Sequence, residues 1–281
     1  MESNEWALIT FTILIQASVG AFVFLTWFRQ SADEKLAGNY RKAVLVLLPL
    51  VLVAMLASLA HLGKPAYAVR ALLHLQTSWL SREIFFTGGF LVLLAATVLT
   101  EKSPAIRKVC EWLAVLAGLC ALFSMSTMYH MTMKPAWQGF NTYIVFFAGA
   151  ALLGAGLCAG LLALFGGHEQ VNRNLYSLTW VAGAALVVEL IALPFYMAAL
   201  QNAGPAGQAT LSLLSGTLGS TLIVRWALTL VGAVPLMVAS RRVLQGKNTS
   251  ALVYSALLFL LAGEVVGRYL FYATGIRIMI G

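Results

Sequence analysis

Eight apolar runs, each close to or above the length that crosses a bilayer, constrain this chain more than any other feature. They cover residues 6–28, 43–60, 84–100, 112–129, 141–165, 175–200, about 218–240, and 251–273. A helix needs about 20 apolar residues to traverse a hydrocarbon core of about 30 Å. With 60% hydrophobic and only 10% charged residues, against about 25% charged in soluble domains, the chain is expected to be an all-α integral membrane protein. The expected architecture is one polytopic domain over residues 1–281 with eight transmembrane helices. Pro49, Pro194 and Pro235 fall inside runs, where membrane helices tolerate them. No connection is long enough for a soluble domain, so chemistry that needs several metal centres is expected on partner chains.

The net charge of +8 resides mostly in the short connections between runs. That pattern fits headgroup anchoring and topology signals, not nucleic-acid binding. Eleven basic residues lie on the odd-numbered connections and five on the other side, with Arg225 and Arg268 inside runs. The positive-inside rule then puts the odd connections in the cytoplasm and both termini on the outer, periplasmic side. Glu2 and Glu5 precede the first run without a basic residue, so it is expected to stay and not to be cleaved as a signal peptide. Cys110, Cys120 and Cys158 form no CxxC pair and cannot supply the four thiolates an iron–sulfur cluster usually needs.

Three of the five outer basic residues, Lys64, Arg70 and Arg82, belong to one segment, 61–83, HLGKPAYAVRALLHLQTSWLSRE. Something other than topology is expected to keep them there. The segment opens on His61 and closes on Glu83, which is read as the last residue before the third span. Quinol oxidation needs a hydrogen-bond partner for each ring oxygen and a proton acceptor working near neutral pH, a role for which histidine is suited. Tyr67, Trp79, Phe85, Tyr129, Trp137 and Tyr143 lie at about the same depth, where the ordinary reading is an interfacial aromatic belt.

Four ionisable residues interrupt later runs: Glu189, Arg225, Glu264 and Arg268. Such residues are costly in a span and mark a functional pathway or an internal ion pair. At 1.5 Å rise per residue they fall roughly 20–25 Å from the cytoplasmic ends of their spans, all in the outer half. Glu264 and Arg268 are spaced to pair along one helix face. Arg225 and Glu189 could bridge two helices, and Gly263 with Gly267 forms a GxxxG packing face.

HLGKP at 61–65, SREI at 81–84 and GEVVGRYLFY at 263–272 resemble the membrane anchor subunit of dimethyl sulfoxide reductase. The resemblance runs nearly end to end and includes Phe11, Thr12 and Gln16 near the N-terminus and Arg225 in the seventh span. It implies a bacterial inner-membrane subunit that binds menaquinol through His61 and Glu83 and carries no haem or iron–sulfur cluster itself. It further implies electron transfer to a four-cluster, ferredoxin-like iron–sulfur subunit and onward to a molybdopterin catalytic subunit, in anaerobic respiration. Terminal reductase chemistry would then lie on a partner chain. The stretch between His61 and Glu83 is only loosely similar, which leaves the terminal oxidant open. Other readings are a secondary transporter using the four intramembrane charges, a single-haem cytochrome b built on His61 and His130, and a tether without quinol chemistry. Against the first, neither broken-helix repeats nor a midplane site is visible.

Overall fold

The structure, a computed structural model, describes residues 3–30, 37–61, 72–165, 167–243, 245 and 247–278. The side chain of His61 and residues 62–71 lie outside the described residues, as does the side chain of His168. Among the described residues the helices are α1 (Ser3–Arg29), α2 (Ala37–His61), α3 (Trp79–Leu99), α4 (Pro104–His130), α5 (Phe140–Phe165), α6 (Gly167–Gln201), α7 (Gly204–Ser215), α8 (Gly219–Val243) and α9 (Ser250–Ala273). All but α7 are long and apolar enough to span a membrane, so the eight expected spans are present.

Two boundaries differ from the expectation in a way that matters. Ser78 caps α3 by accepting a hydrogen bond from the Ser81 backbone N–H at 3.3 Å, and the helix starts at Trp79. Glu83 is therefore more than a turn inside the helix, not ahead of it. The connection between the sixth and seventh apolar runs is not all loop but contains the 12-residue helix α7. Gly204, at φ 71°, turns the chain, and Pro205 sets the first helical turn, where a missing N–H costs nothing.

The spans pack as two four-helix rings. α1, α2, α3 and α4 each touch the next, and α4 returns to α1; α5, α6, α8 and α9 close in the same way. The rings fuse along α1 and α5, whose most apolar windows are each 72% buried, against 28% for α2 and α6. In lipid there is little hydrophobic drive between helices, so close approach of small residues supplies the contact. A Cβ on Gly20 would stand 1.9 Å from the Ala150 carbonyl oxygen, and one on Gly154 would stand 2.5 Å from the Gly20 Cα. The two backbones touch there, and Phe22, Leu25, Leu152 and Leu153 fill the space on either side.

At the face carrying the Arg29 end of α1, Arg29 and Arg107 pair with Glu101 and Glu111. Arg29 lies 3.2 Å and Arg107 3.4 Å from Glu111. Two acids and two bases thus tie α1 to the start of α4 and the turn before it.

Replacing Gly154 by valine is expected to destabilise the chain by at least about 2 kcal/mol, because the added atoms have only backbone to displace. Thermal unfolding in detergent micelles measures this. Gly88→Ala, where a Cβ meets nothing within 4 Å, is the matched control and is expected to be neutral or stabilising.

Candidate functional site

The second ring encloses the four intramembrane charges. Arg225 on α8 donates from Nη2 to Glu189 Oε2 on α6 at 2.6 Å, and the same nitrogen lies 3.5 Å from Glu264 Oε1 on α9. One guanidinium therefore links three helices. It can do so because α9 offers no side chain where it crosses: a Cβ on Gly267 would stand 2.7 Å from Arg225 Nε. Gly263, one turn earlier, similarly accommodates Thr229 of α8. The GxxxG face is thus a packing face that also makes room for a charge. Trp226 adds its ring 4.4 Å from the Arg225 guanidinium carbon, a favourable cation–π distance.

Glu264 and Arg268 do not form the local pair their spacing suggests. Arg268 turns toward α5, donating to the Val145 carbonyl at 3.1 Å and lying 3.9 Å over the Phe146 ring. Glu264 points the other way, toward Arg225. Its Oε2 lies against Gly149 on α5, beside the amide of Gln16, which donates to the Phe146 carbonyl at 2.9 Å. All four charged residues are buried, and they line a cavity of about 80 Å³ together with Tyr196, Trp226 and Thr274. α7 contributes Leu214 to this lining, so the unexpected helix helps close the cavity.

Glu83, in the first ring, is 4% exposed, and its Oε2 has no hydrogen-bond partner among the described residues. It interacts electrostatically with Tyr129 and Tyr272, whose hydroxyls are 2.9 Å apart. Tyr272 lies four residues after Arg268 and eight after Glu264, on the same face of α9, and both tyrosines interact electrostatically with Arg268. That spacing is the signal by which the sequence could have revealed Tyr272 as the connecting residue. The hydroxyl pair thus ties α4 of the first ring to α9 of the second. Tyr129 and Trp137, expected as candidates for an interfacial belt, are core residues. Their ring centroids are 5.1 Å apart, and the Trp137 indole donates to the Phe271 carbonyl at 2.7 Å.

His61 is the last residue of α2, the helix that packs against α3. Arg82, one of the basic residues that defied the charge rule, has a structural use. It stacks 4.1 Å from the Trp79 ring and donates to the Leu75 and Gln76 carbonyls, fastening residues 72–78 to the start of α3. His130 accepts a hydrogen bond at Nδ1 from the Gly139 N–H at 3.0 Å. The Lys134 ammonium lies 3.7 Å over Trp137; partial burial, then the nearby Arg277, lowers its pKa from the ordinary lysine value. Cys158 is buried, while Cys110 and Cys120 are half-buried; all three are free.

Eight spans folded around buried charges, with short connections, define a multi-pass membrane subunit. The chain matches the model of the DMSO reductase anchor subunit (DmsC) over residues 1–274 and belongs to that family. It is 28% identical over 280 residues to the C subunit of the anaerobic dimethyl sulfoxide reductase of Haemophilus influenzae, covering 95% of this chain and 94% of the relative. Two Escherichia coli relatives are similar at this level. The YnfH subunit of an anaerobic dimethyl sulfoxide reductase is 28% identical over 295 residues, and the C subunit of another is 29% identical over 294. Each match spans 99% of this chain and 96% of the relative.

Breaking a buried ion pair leaves an uncompensated charge, at a cost of about 3–5 kcal/mol, whereas removing both members is often nearly neutral. Arg225→Gln is expected to lose stability on that scale, and Arg225→Gln combined with Glu189→Gln to recover most of it. Thermal unfolding of the two single variants and the double variant measures the coupling.

Proposed function

We propose that this chain anchors a molybdopterin oxidoreductase in the bacterial inner membrane and oxidises menaquinol, with His61 and Glu83 holding the quinol. The observation that carries the reading is Glu83 itself: a carboxylate more than a turn inside α3, buried, with Oε2 unpartnered among the described residues. Such an oxygen is costly in a membrane unless something polar meets it. A hydroxyl of a bound quinol fits that requirement, and His61 ends the helix next to α3.

Menaquinol supplies two electrons and two protons for each ring oxidised. Glu83 accepts one proton at Oε2, and the tyrosine pair behind it keeps that oxygen in a polar setting. His61 accepts the other proton at its ring nitrogen. Placement of this pair at the outer face follows the distribution of basic residues. Protons released there, and electrons leaving on the same side, make the step non-electrogenic.

An iron–sulfur subunit that takes the electrons docks, in this reading, on the face formed by residues 131–139, α7 and residues 274–278. That face is ordered by its own bonds. Ile278 N–H donates to the Met133 carbonyl at 3.1 Å, and the Thr210 hydroxyl donates to the Thr274 carbonyl at 2.9 Å. Lys134 and Arg277 give it positive charge for an acidic partner surface. The partner passes electrons to a molybdopterin catalytic subunit.

Glu83→Gln and His61→Leu are each expected to lower menaquinol-linked reduction by about a hundredfold or more, with loss of quinone-analogue binding and normal assembly in the membrane. Quinol turnover at the wild-type rate in both variants rules the assignment out.

A further inference from the structure

The second ring carries more hydrogen-bonding capacity than its own members use. Glu189 Oε1, Glu264 Oε1, Arg268 Nη1 and the indole N–H of Trp226 are buried without a hydrogen-bond partner among the described residues. All four side chains line the cavity of about 80 Å³. Arg225 takes both carboxylates as its ion-pair partners, whereas Arg268, only 2% exposed, donates to a backbone carbonyl. Two acids against two bases leave the four residues with no net charge when all are ionised. A charged guest in the cavity would stand uncompensated, at a high cost. The guest that fits is uncharged and carries oxygens, which accept from the two N–H donors or, when protonated, donate to the two carboxylates.

The cavity adjoins the lipid-facing side of the ring. A groove of about 520 Å³ lies between α5 and α6, and Asn141 and Tyr196 line both it and the cavity. These two side chains are therefore the partition between the two spaces. Ile144 and Val188 in turn line both this groove and another of about 480 Å³, so the two grooves form one furrow. Gln138, Asn141, Tyr143 and Tyr196 are the polar side chains of its lining, and they gather toward the outer ends of α5 and α6. Deeper in, the lining is Phe147, Ala148, Ala151, Val181, Ala184 and Ala185, all apolar. From Val181 to Ala199 the furrow follows α6 for roughly 27 Å at 1.5 Å per residue. That is most of a hydrocarbon core of about 30 Å and nearly twice one leaflet. A tail that fills it is longer than an acyl chain confined to one leaflet.

We propose that furrow and cavity together form a second ligand site, which holds an isoprenoid quinone: tail along α6, ring in the outer part of the furrow, and one ring oxygen turned between Asn141 and Tyr196 toward the cavity. Size decides where the ring lies. An apolar cavity of about 150 Å³ takes up benzene, so one of about 80 Å³ is too small for a ring and admits an oxygen with a bridging water. The outer groove, at about 520 Å³, falls within the range of about 300–1,000 Å³ usual for ligand pockets. Because the ring stays outside the charged cluster, the site stores its guest and does not oxidise it. It is built on α5 and α6 of the second ring, apart from His61 on α2 and Glu83 on α3, and stands whether or not those two residues bind quinol.

Photolabelling of the purified full-length chain in lipid nanodiscs tests it, with a menaquinone analogue that carries an azide on the ring and a full-length tail. The label is expected on peptides covering residues 138–147 and 188–199, to persist in the double variant His61→Leu with Glu83→Gln, and to vanish under an excess of unlabelled menaquinone. Ala184→Trp and Ala199→Trp fill the furrow from exposed positions on α6. Both are expected to lose most of this labelling with the thermal unfolding midpoint unchanged. Leu116→Trp, on an exposed face of α4, is the control and is expected to label as the wild type does. Labelling confined to the neighbourhood of residues 61–83, or equal labelling in both α6 variants, overturns the site. Labelling that survives the excess of menaquinone marks ordinary contact with the bilayer and overturns it as well. Quinol turnover plays no part in the readout, so loss of the His61–Glu83 assignment and loss of this site are separate results.

Discussion

A guanidinium within the bilayer depends on what surrounds it, and Arg225 dictates much of what surrounds it here. Its charge demands Glu189 from α6 and draws in Glu264 from α9. Its passage across α9 demands that position 267 have no side chain. The ring of α5, α6, α8 and α9 is thus fixed at the depth of that one side chain, and the cavity is the space left where these demands meet. A purely apolar ring would pack more simply, and replacing buried ion pairs by apolar residues often raises stability. Retaining several buried charges at one level is the kind of cost that functional sites carry.

Much of the architecture was legible in the sequence. The eight spans follow from run length and hydropathy alone, because the bilayer imposes one period and one length on every helix. Helix starts were less legible, since they depend on local capping. Ser78 lengthens α3 by five residues, and this single cap moves Glu83 from the rim into the buried interior. α7 is harder to read because it is short and uncharged and opens on Gly204-Pro205-Ala206-Gly207, residues that by themselves suggest a tight turn.

The candidate site was legible in its members but not in their pairing. Glu189, Arg225, Glu264 and Arg268 announce themselves as charges in apolar runs. Which acid meets which base is a matter of three-dimensional arrangement, and the sequence spacing suggested a Glu264–Arg268 pair that does not form. Arg268 had a better offer from the Val145 carbonyl and the Phe146 ring, on a helix far earlier in the chain. The neutral residues were legible only faintly: Tyr129 as one of several aromatic rings, Gln16 through the family resemblance and Tyr272 through its spacing from Arg268, because an uncharged polar side chain in a span looks unremarkable until its partner is known.

The contact between Gly20 and Gly154 has a mechanical meaning. Where two helices meet through side chains, rotamer changes let them slide and tilt; where they meet through backbone, there is nothing soft to yield. The seam is a weld between the rings. Glu83 lies on one side of it and the cavity on the other, so the distance between them is set by the fold and not by a hinge. Rocking of one half against the other along this seam is thereby closed off, and the two rings behave as one rigid piece.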